Sequence, residues 1–195
     1  MVVMISMLRG VNVGGHNKIK IDALLSLYLS LGLRDPRAYV QSGNVVFKTR
    51  DRGIAKLAKQ IEESIERGFG FRPAVILRTP AELREVIARN PFAGRTGIDH
   101  SKLLVSFLAR DPGPECRKKV LMIKTAPEEL FMDGRELYVY FPNGMGRPKM
   151  SWAAVERAHK TPSTGRNWNT VTKLLEIAEA LEISKGGRQR NAAAN

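Results

Sequence analysis

Residues 2–8, VVMISML, form an apolar run of strand length interrupted only by Ser6, the pattern of a buried strand. Over residues 22–31, Leu24, Leu27, Tyr28 and Leu31 recur at helical spacing, and Gly32 ends the run. Residues 38–47, AYVQSGNVVF, read as two short extended runs pivoting on Gly43-Asn44, a turn or bulge signal. Ile54, Leu57, Ala58, Ile61 and Ile65 then predict an amphipathic helix closed by Gly68 and Gly70. RPAVILR, residues 72–78, predicts a further short strand. The order β-α-β-β-α-β is that of the ferredoxin-like motif.

The second half repeats this order less cleanly. Thr79-Pro80-Ala81-Glu82 is a capping box with proline at the first helical position, so a helix runs to about Arg89 and ends before Asn90-Pro91. Residues 103–108 predict a strand, and residues 115–123 a weaker helix. Asp133-Gly134, set between two apolar runs in ELFMDGRELYVYF, signals a hairpin. Residues 151–159 and 170–181 predict the last helices. Residues 101–160 thus read β-α-β-β-α, with no evident final strand. The expected fold class is α+β: two ferredoxin-like (βαββαβ) subdomains, in tandem or intertwined, with antiparallel sheets backed by helices. Residues 1–79 would form the first and 80–183 a second α+β subdomain with the C-terminal helices. Residues 184–195, without periodicity, would be a disordered tail.

Composition adds limits. A chain of 195 residues with 43% apolar residues can bury a real core. No apolar run reaches the roughly 18–20 residues of a membrane span, so the expectation is a cytoplasmic protein with no membrane partner. Cys116 is the single cysteine, which excludes an internal disulfide. His16, His100 and His159 lack metal-ligand spacing, so no metal site is expected. Arg117, Lys118 and Lys119 follow Cys116, but no base is placed near it. The net charge of +13 is spread over both halves. It favours an anionic ligand, nucleotide or nucleic acid, as partner. A solvated basic surface explains it equally well.

Three polar stretches are candidates for chemistry. In LRGVNVGGHN, residues 8–17, Gly10 and Gly15 have the separation of a phosphate loop, but His16 and Asn17 stand where lysine and a hydroxyl are needed. Asn12 occupies the middle position of the dinucleotide fingerprint, which therefore fails. Backbone amides around Asn12, Gly14 and Gly15 would still receive an anion, with Arg9 or Lys18 adding charge; glycines in a tight connection are the competing reading. In QSGNVVF, Gln41, Ser42 and Asn44 are polar groups within an extended apolar segment. They either aim amides at a ligand or bond to their own turn. In STGRNWNTVTKL, residues 163–174, Asn169 or Thr170 would cap a helix beside Arg166 and Asn167, with Trp168 as a stacking face. Capping with a buried tryptophan is the alternative. Upstream, Arg147 and Lys149 add charge.

LRGVNVGG, YVQSGNVVF, GRPKMSW and TGRNWNTVTKL together resemble the bacterial domain-of-unknown-function family 1697, in that family's order from Leu8 to Leu174. The chain departs at Pro148 and at Ser151-Trp152, where the family pattern has a serine and a Thr-Asn pair. The resemblance implies two ferredoxin-like subdomains and no assigned activity.

The favoured function is a binding module for a phosphate-bearing ligand, without a cofactor. One rival is an enzyme acting on a small phosphorylated or acidic metabolite, with His16 and His159 for proton transfer and Arg9, Arg147 and Arg166 for charge stabilisation. The other is a structural or protein-interaction role.

Overall fold

The computed structural model describes residues 1–41 and 43–184. Ser42 lies outside the described residues, as does the expected disordered tail apart from Ser184. The chain divides into two compact units, one of Met1–Arg84 together with the chain from Lys173, the other Glu85–Thr172.

The first unit runs β1 (Val2–Leu8), α1 (Ile21–Ser30), β2 (Arg34–Ala38), β3 (Asn44–Thr49), α2 (Ile54–Phe69) and β4 (Val75–Arg78). These are followed by the start of α3 (Pro80–Ala88). The strands pair antiparallel in the order β2-β3-β1-β4. That order is the ferredoxin-like arrangement, because each helix carries the chain over a neighbouring strand before it re-enters the sheet. Leu57, Ile61 and Ile65 of α2 repeat every four residues and pack with Leu24 and Tyr28 of α1 on Met4, Leu8, Val45, Phe47 and Leu77. Burying each such aliphatic side chain stabilises the unit by roughly 1.5–3 kcal/mol. The alternate residues of β1, Val3, Ile5 and Met7, are buried as well, as an apolar run without alternation requires.

The second unit contains the rest of α3, a short 3-10 helix (His100–Lys102), β5 (Leu103–Leu108), α4 (Gly113–Leu121), β6 (Glu129–Asp133), β7 (Glu136–Tyr140), α5 (Trp152–His159) and β8 (Ser163–Asn167). α6 (Trp168–Ile183) begins in it. Its order, β6-β7-β5-β8, repeats the first sheet strand for strand. The correspondence reaches single hydrogen bonds. Leu8 N donates to Gly43 O at 2.9 Å as Leu108 N donates to Arg135 O at 2.8 Å. Arg9 N donates to Ala74 O as Ala109 N does to Pro162 O, each at 2.9 Å. On the fourth strands, Arg78 stands opposite Ile5 and Arg166 opposite Val105. The protein is therefore α+β, with two ferredoxin-like sheets backed by helices.

Three expectations are corrected. β2 lies at Arg34–Ala38 and not within residues 38–42. RDPRA carries no apolar alternation because β2 is an edge strand, where Pro36 costs no ladder bond, and a register shift between Arg34 and Arg37 interrupts it. The missing last strand is β8, paired with β5 from Leu108↔Ser163 to Leu104↔Asn167. Finally, α6 starts at Trp168 and is capped by Asn167, whose Oδ1 accepts from Asn169 N at 2.9 Å. Neither Asn169 nor Thr170 is the cap. No helix among the described residues is long and apolar enough to cross a membrane.

Candidate functional site

The connection leaving β1, residues 9–20, folds on itself. Asn12 N donates to Asn17 O, Asn17 Nδ2 donates to Gly10 O, and His16 N donates to Val13 O, each at 3.1 Å. Gly10, Asn12, Gly14, Gly15 and Asn17 all take positive φ, which these two residue types tolerate best. The Asn12 side chain holds the two ends together. Its Nδ2 donates to Ile19 O at 3.0 Å and its Oδ1 accepts from Ile19 N at 2.8 Å. The same Nδ2 also donates to Gln41 O, tying this loop to the β2–β3 turn.

That turn crosses β1 closely. Gly43 has φ +71, and a Cβ there would lie 2.9 Å from the Leu8 Cβ and 3.2 Å from the Val11 Cβ. Asn44 is buried and its Nδ2 donates to Tyr39 O at 3.2 Å, closing the turn. Between the two loops lies a cavity of about 430 Å³ lined by Asn12, Gly15, Lys18, Ile19, Lys20 and Gln41. Lys18 and Lys20 are exposed, and none of the described lining residues is acidic. Lys20 and Ile19 are not among the residues that the sequence singles out. Their only signal there is a position directly after the glycine loop. Arg9 is exposed at the start of the loop. From α6, Lys173 belongs to this unit; Glu176, at 2.7 Å, raises its pKa, with a smaller contribution from Tyr39.

The remaining candidates belong to the second unit. Arg147 and Lys149 are exposed on the loop of residues 141–151. Buried Glu128 fixes its end, its carboxylate accepting from Lys149 N at 3.0 Å and Met150 N at 3.2 Å. Ser151 caps α5, its side chain accepting from Ala154 N. Arg166 is a strand residue, 8% exposed, whose Nη1 donates to Thr164 Oγ1 at 2.7 Å and Gly165 O at 2.8 Å. Burial pushes its guanidinium down to about 10, still charged at neutral pH. Asn167 Nδ2 donates to Ser101 O at 2.7 Å. Trp168 is 6% exposed, its ring centroid 6.0 Å from that of His100. Asn169 is exposed and Thr170 half-buried.

On the sheet face of this unit opposite α4 and α5, two tyrosine rings are covered from within the unit. Tyr138 donates its hydroxyl to Val86 O at 2.8 Å, and Phe92 packs on Tyr140 at 5.7 Å between ring centroids. Of the two histidines considered for proton transfer, His16 is exposed in the first unit and His159 is buried in the second. Among the described residues, no group of three His, Cys, Asp or Glu is placed to hold a metal ion. Cys116 is half-buried.

A family model described as a protein of unknown function, DUF1697, matches residues 1–138. The chain belongs to the DUF1697 family. The matched span takes in both loops around the cavity and ends before GRPKMSW and TGRNWNTVTKL. The DUF1697 chain is also similar in structure to the conserved bacterial protein SP0830 from Streptococcus pneumoniae. The TM-score is 0.67 at 21% identity, covering 91% of this chain and 98% of that one, a likeness of fold. No curated protein sequence matches.

Proposed function

We propose that the cavity of the first unit binds a small phosphate-bearing molecule of nucleotide size. One observation carries this reading: the fold makes the same two connections in the second unit with far less chain. There, residues 109–112 join β5 to α4 and residues 134–135 join β6 to β7, where the first unit uses residues 9–20 and 39–43. Both extended loops are at the same end of one sheet, and Asn12 bonds them together. The extra chain thus exceeds what the turn needs, and its cavity is lined by Lys18 and Lys20 with no acidic residue among the described lining residues. Two ammonium groups beside amide-rich backbone suit a phosphate dianion. Among the described lining residues there is no carboxylate, thiol or imidazole, which favours binding over turnover. Recognition of RNA by stacking on the sheet of the second unit lacks its surface, since Tyr138 and Tyr140 are buried.

Isothermal titration with inorganic phosphate and pyrophosphate tests the reading. Binding by the full chain, weakened about tenfold or more by Lys18→Ala with Lys20→Ala, supports it. No heat of binding in the unsubstituted protein leaves the loops without this role.

A further inference from the structure

The C-terminal turn of α4 exposes apolar side chains that folding does not use. Residues 120–123 read Val-Leu-Met-Ile. Val120 is buried and Ile123 packs against the same core cluster, whereas Leu121 is 51% and Met122 74% exposed. Met122 stays helical, its N–H donating to Lys118 O at 3.1 Å. Lys118 thus stands three and four residues before the apolar pair, and Lys119 three before Met122, spacings that make neighbours on a helix surface. Lys118, Lys119 and, just beyond the helix, Lys124 are exposed. Glu115, the acidic residue of α4, is in its first turn. The Glu128 carboxylate accepts from Lys149 N, so the segment bearing exposed Lys149 is tied to the turn of residues 125–128. α1, the corresponding helix of the first sheet, has no basic residue in its last turn, and its cap residue Leu31 is half-buried. The fold therefore does not require this arrangement. Lysines at a helix C-terminus suit the helix dipole, but the dipole does not account for two exposed apolar side chains beside them.

We infer that this end of the second unit docks on the surface of an anionic lipid bilayer. The ammonium groups lie among the headgroup phosphates while Leu121 and Met122 enter the boundary between headgroups and acyl chains. Lysine is a flexible point charge, without the guanidinium fork that fixes a carboxylate or phosphate in one geometry. Two apolar side chains are too few for a stable protein interface, which takes roughly 20–30 residues a side. Nucleic acid would set the pair against a hydrated polyanion, and the strip offers no aromatic ring for stacking. A lipid surface takes up both the charge and the apolar pair. Such a contact needs no spanning helix, and it replaces the expectation, drawn from run length, of no membrane partner. It is independent of the phosphate cavity, which belongs to the first unit.

Sedimentation of the full chain with lipid vesicles tests the inference. Binding is expected to vesicles containing phosphatidylserine, weakening as salt is added, and not to vesicles of phosphatidylcholine alone. Lys118→Gln with Lys119→Gln and Lys124→Gln should weaken it about a hundredfold, roughly fivefold for each lysine. Leu121→Ser with Met122→Ser should weaken it about tenfold or more. The same charge removed from the first unit by Arg50→Gln, Arg52→Gln and Lys56→Gln should change it by no more than about threefold. All these positions are exposed, so the variants keep the fold. No binding to the anionic vesicles overturns the inference. So does equal weakening by the two triple variants, which would assign binding to net charge, or an apolar double variant that binds as tightly as the parent. A DNA duplex bound more tightly than the vesicles, with the same loss in the Leu121 and Met122 variant, would assign the face to nucleic acid and overturn it too.

Discussion

Asn12 and Ile19 hold each other across the loop that leaves β1: one carboxamide donates to the Ile19 carbonyl at 3.0 Å and accepts from the Ile19 amide at 2.8 Å. This pair closes residues 12–19 into a ring, and the further bond to Gln41 O fixes the ring against the β2–β3 turn. One side chain thus ties together the two loops beside the cavity.

Asn12→Ala is accordingly expected to lower stability by about 1–3 kcal/mol, since partners inside the loop lose their hydrogen bonds together. Asn12→Asp keeps the acceptor for Ile19 N but sets a carboxylate oxygen against the Ile19 and Gln41 carbonyls, and should lose at least as much. Urea denaturation measures both; an alanine variant as stable as the parent contradicts the clamp.

Two glycines separate conformational strain from steric exclusion. Gly10→Ala meets nothing within 4 Å and bears only the strain of its φ of +67, roughly 1 kcal/mol. Gly43→Ala has comparable backbone strain at φ +71 and drives a methyl group into the Leu8 and Val11 side chains. Its expected loss is about 2–4 kcal/mol. Equal midpoints for the two variants in guanidinium chloride would show that the hairpin does not press on β1.

Tyr28 and Ser6 share a buried hydrogen bond of 2.7 Å. Burial raises the Tyr28 pKa well above its ordinary 10.0, and the Ser6 bond offsets part of that rise. In the unfolded chain the phenol ionises above pH 10 while the folded chain keeps its proton. Stability from this group is therefore complete below pH 10 and falls as pH rises beyond it. Tyr138, raised by burial first and then by Glu136 and Asp133, acts in the same direction. Denaturation midpoints between pH 9 and pH 11 should drop less for Tyr28→Phe than for the parent, and least for Tyr28→Phe with Tyr138→Phe. Parallel curves for all three proteins would contradict this.

Glu128 is a buried carboxylate that receives two backbone amides, those of Lys149 and Met150. Glu128→Ala should cost about 1–3 kcal/mol and speed trypsin cleavage after Lys149, whereas Glu128→Gln, keeping one acceptor, should do less of each. Unchanged cleavage rates in Glu128→Ala would show that the loop is held by other contacts.

Much of the molecule is legible in its sequence. The capping box forms as its spacing implies, Glu82 Oε2 accepting from Thr79 N at 2.7 Å and Thr79 Oγ1 from Glu82 N at 3.2 Å. Asp133 and Glu136 pair across the Gly134-Arg135 turn. The α2 stripe of Leu57, Ile61 and Ile65 is buried. Each of these signals involves residues only a few positions apart, where periodicity, turn chemistry and capping act directly on the local backbone.

What lies beyond its reach depends on partners distant in the chain. STGRN carries no strand pattern, and it becomes β8 because β5 offers it a ladder from Leu108 to Leu104. That ladder buries Arg166 and leaves Asn167 to cap α6. The contact between Asn12 and Gln41 joins residues 29 positions apart. The excess length of both loops shows only when one sheet is laid strand for strand on the other. By itself, the sequence determined the order of strands and helices apart from β8, together with the capping box of α3. Tertiary structure decided which polar segments are buried and which loops meet, because ladder bonds and loop contacts are made between positions whose separation no local preference encodes.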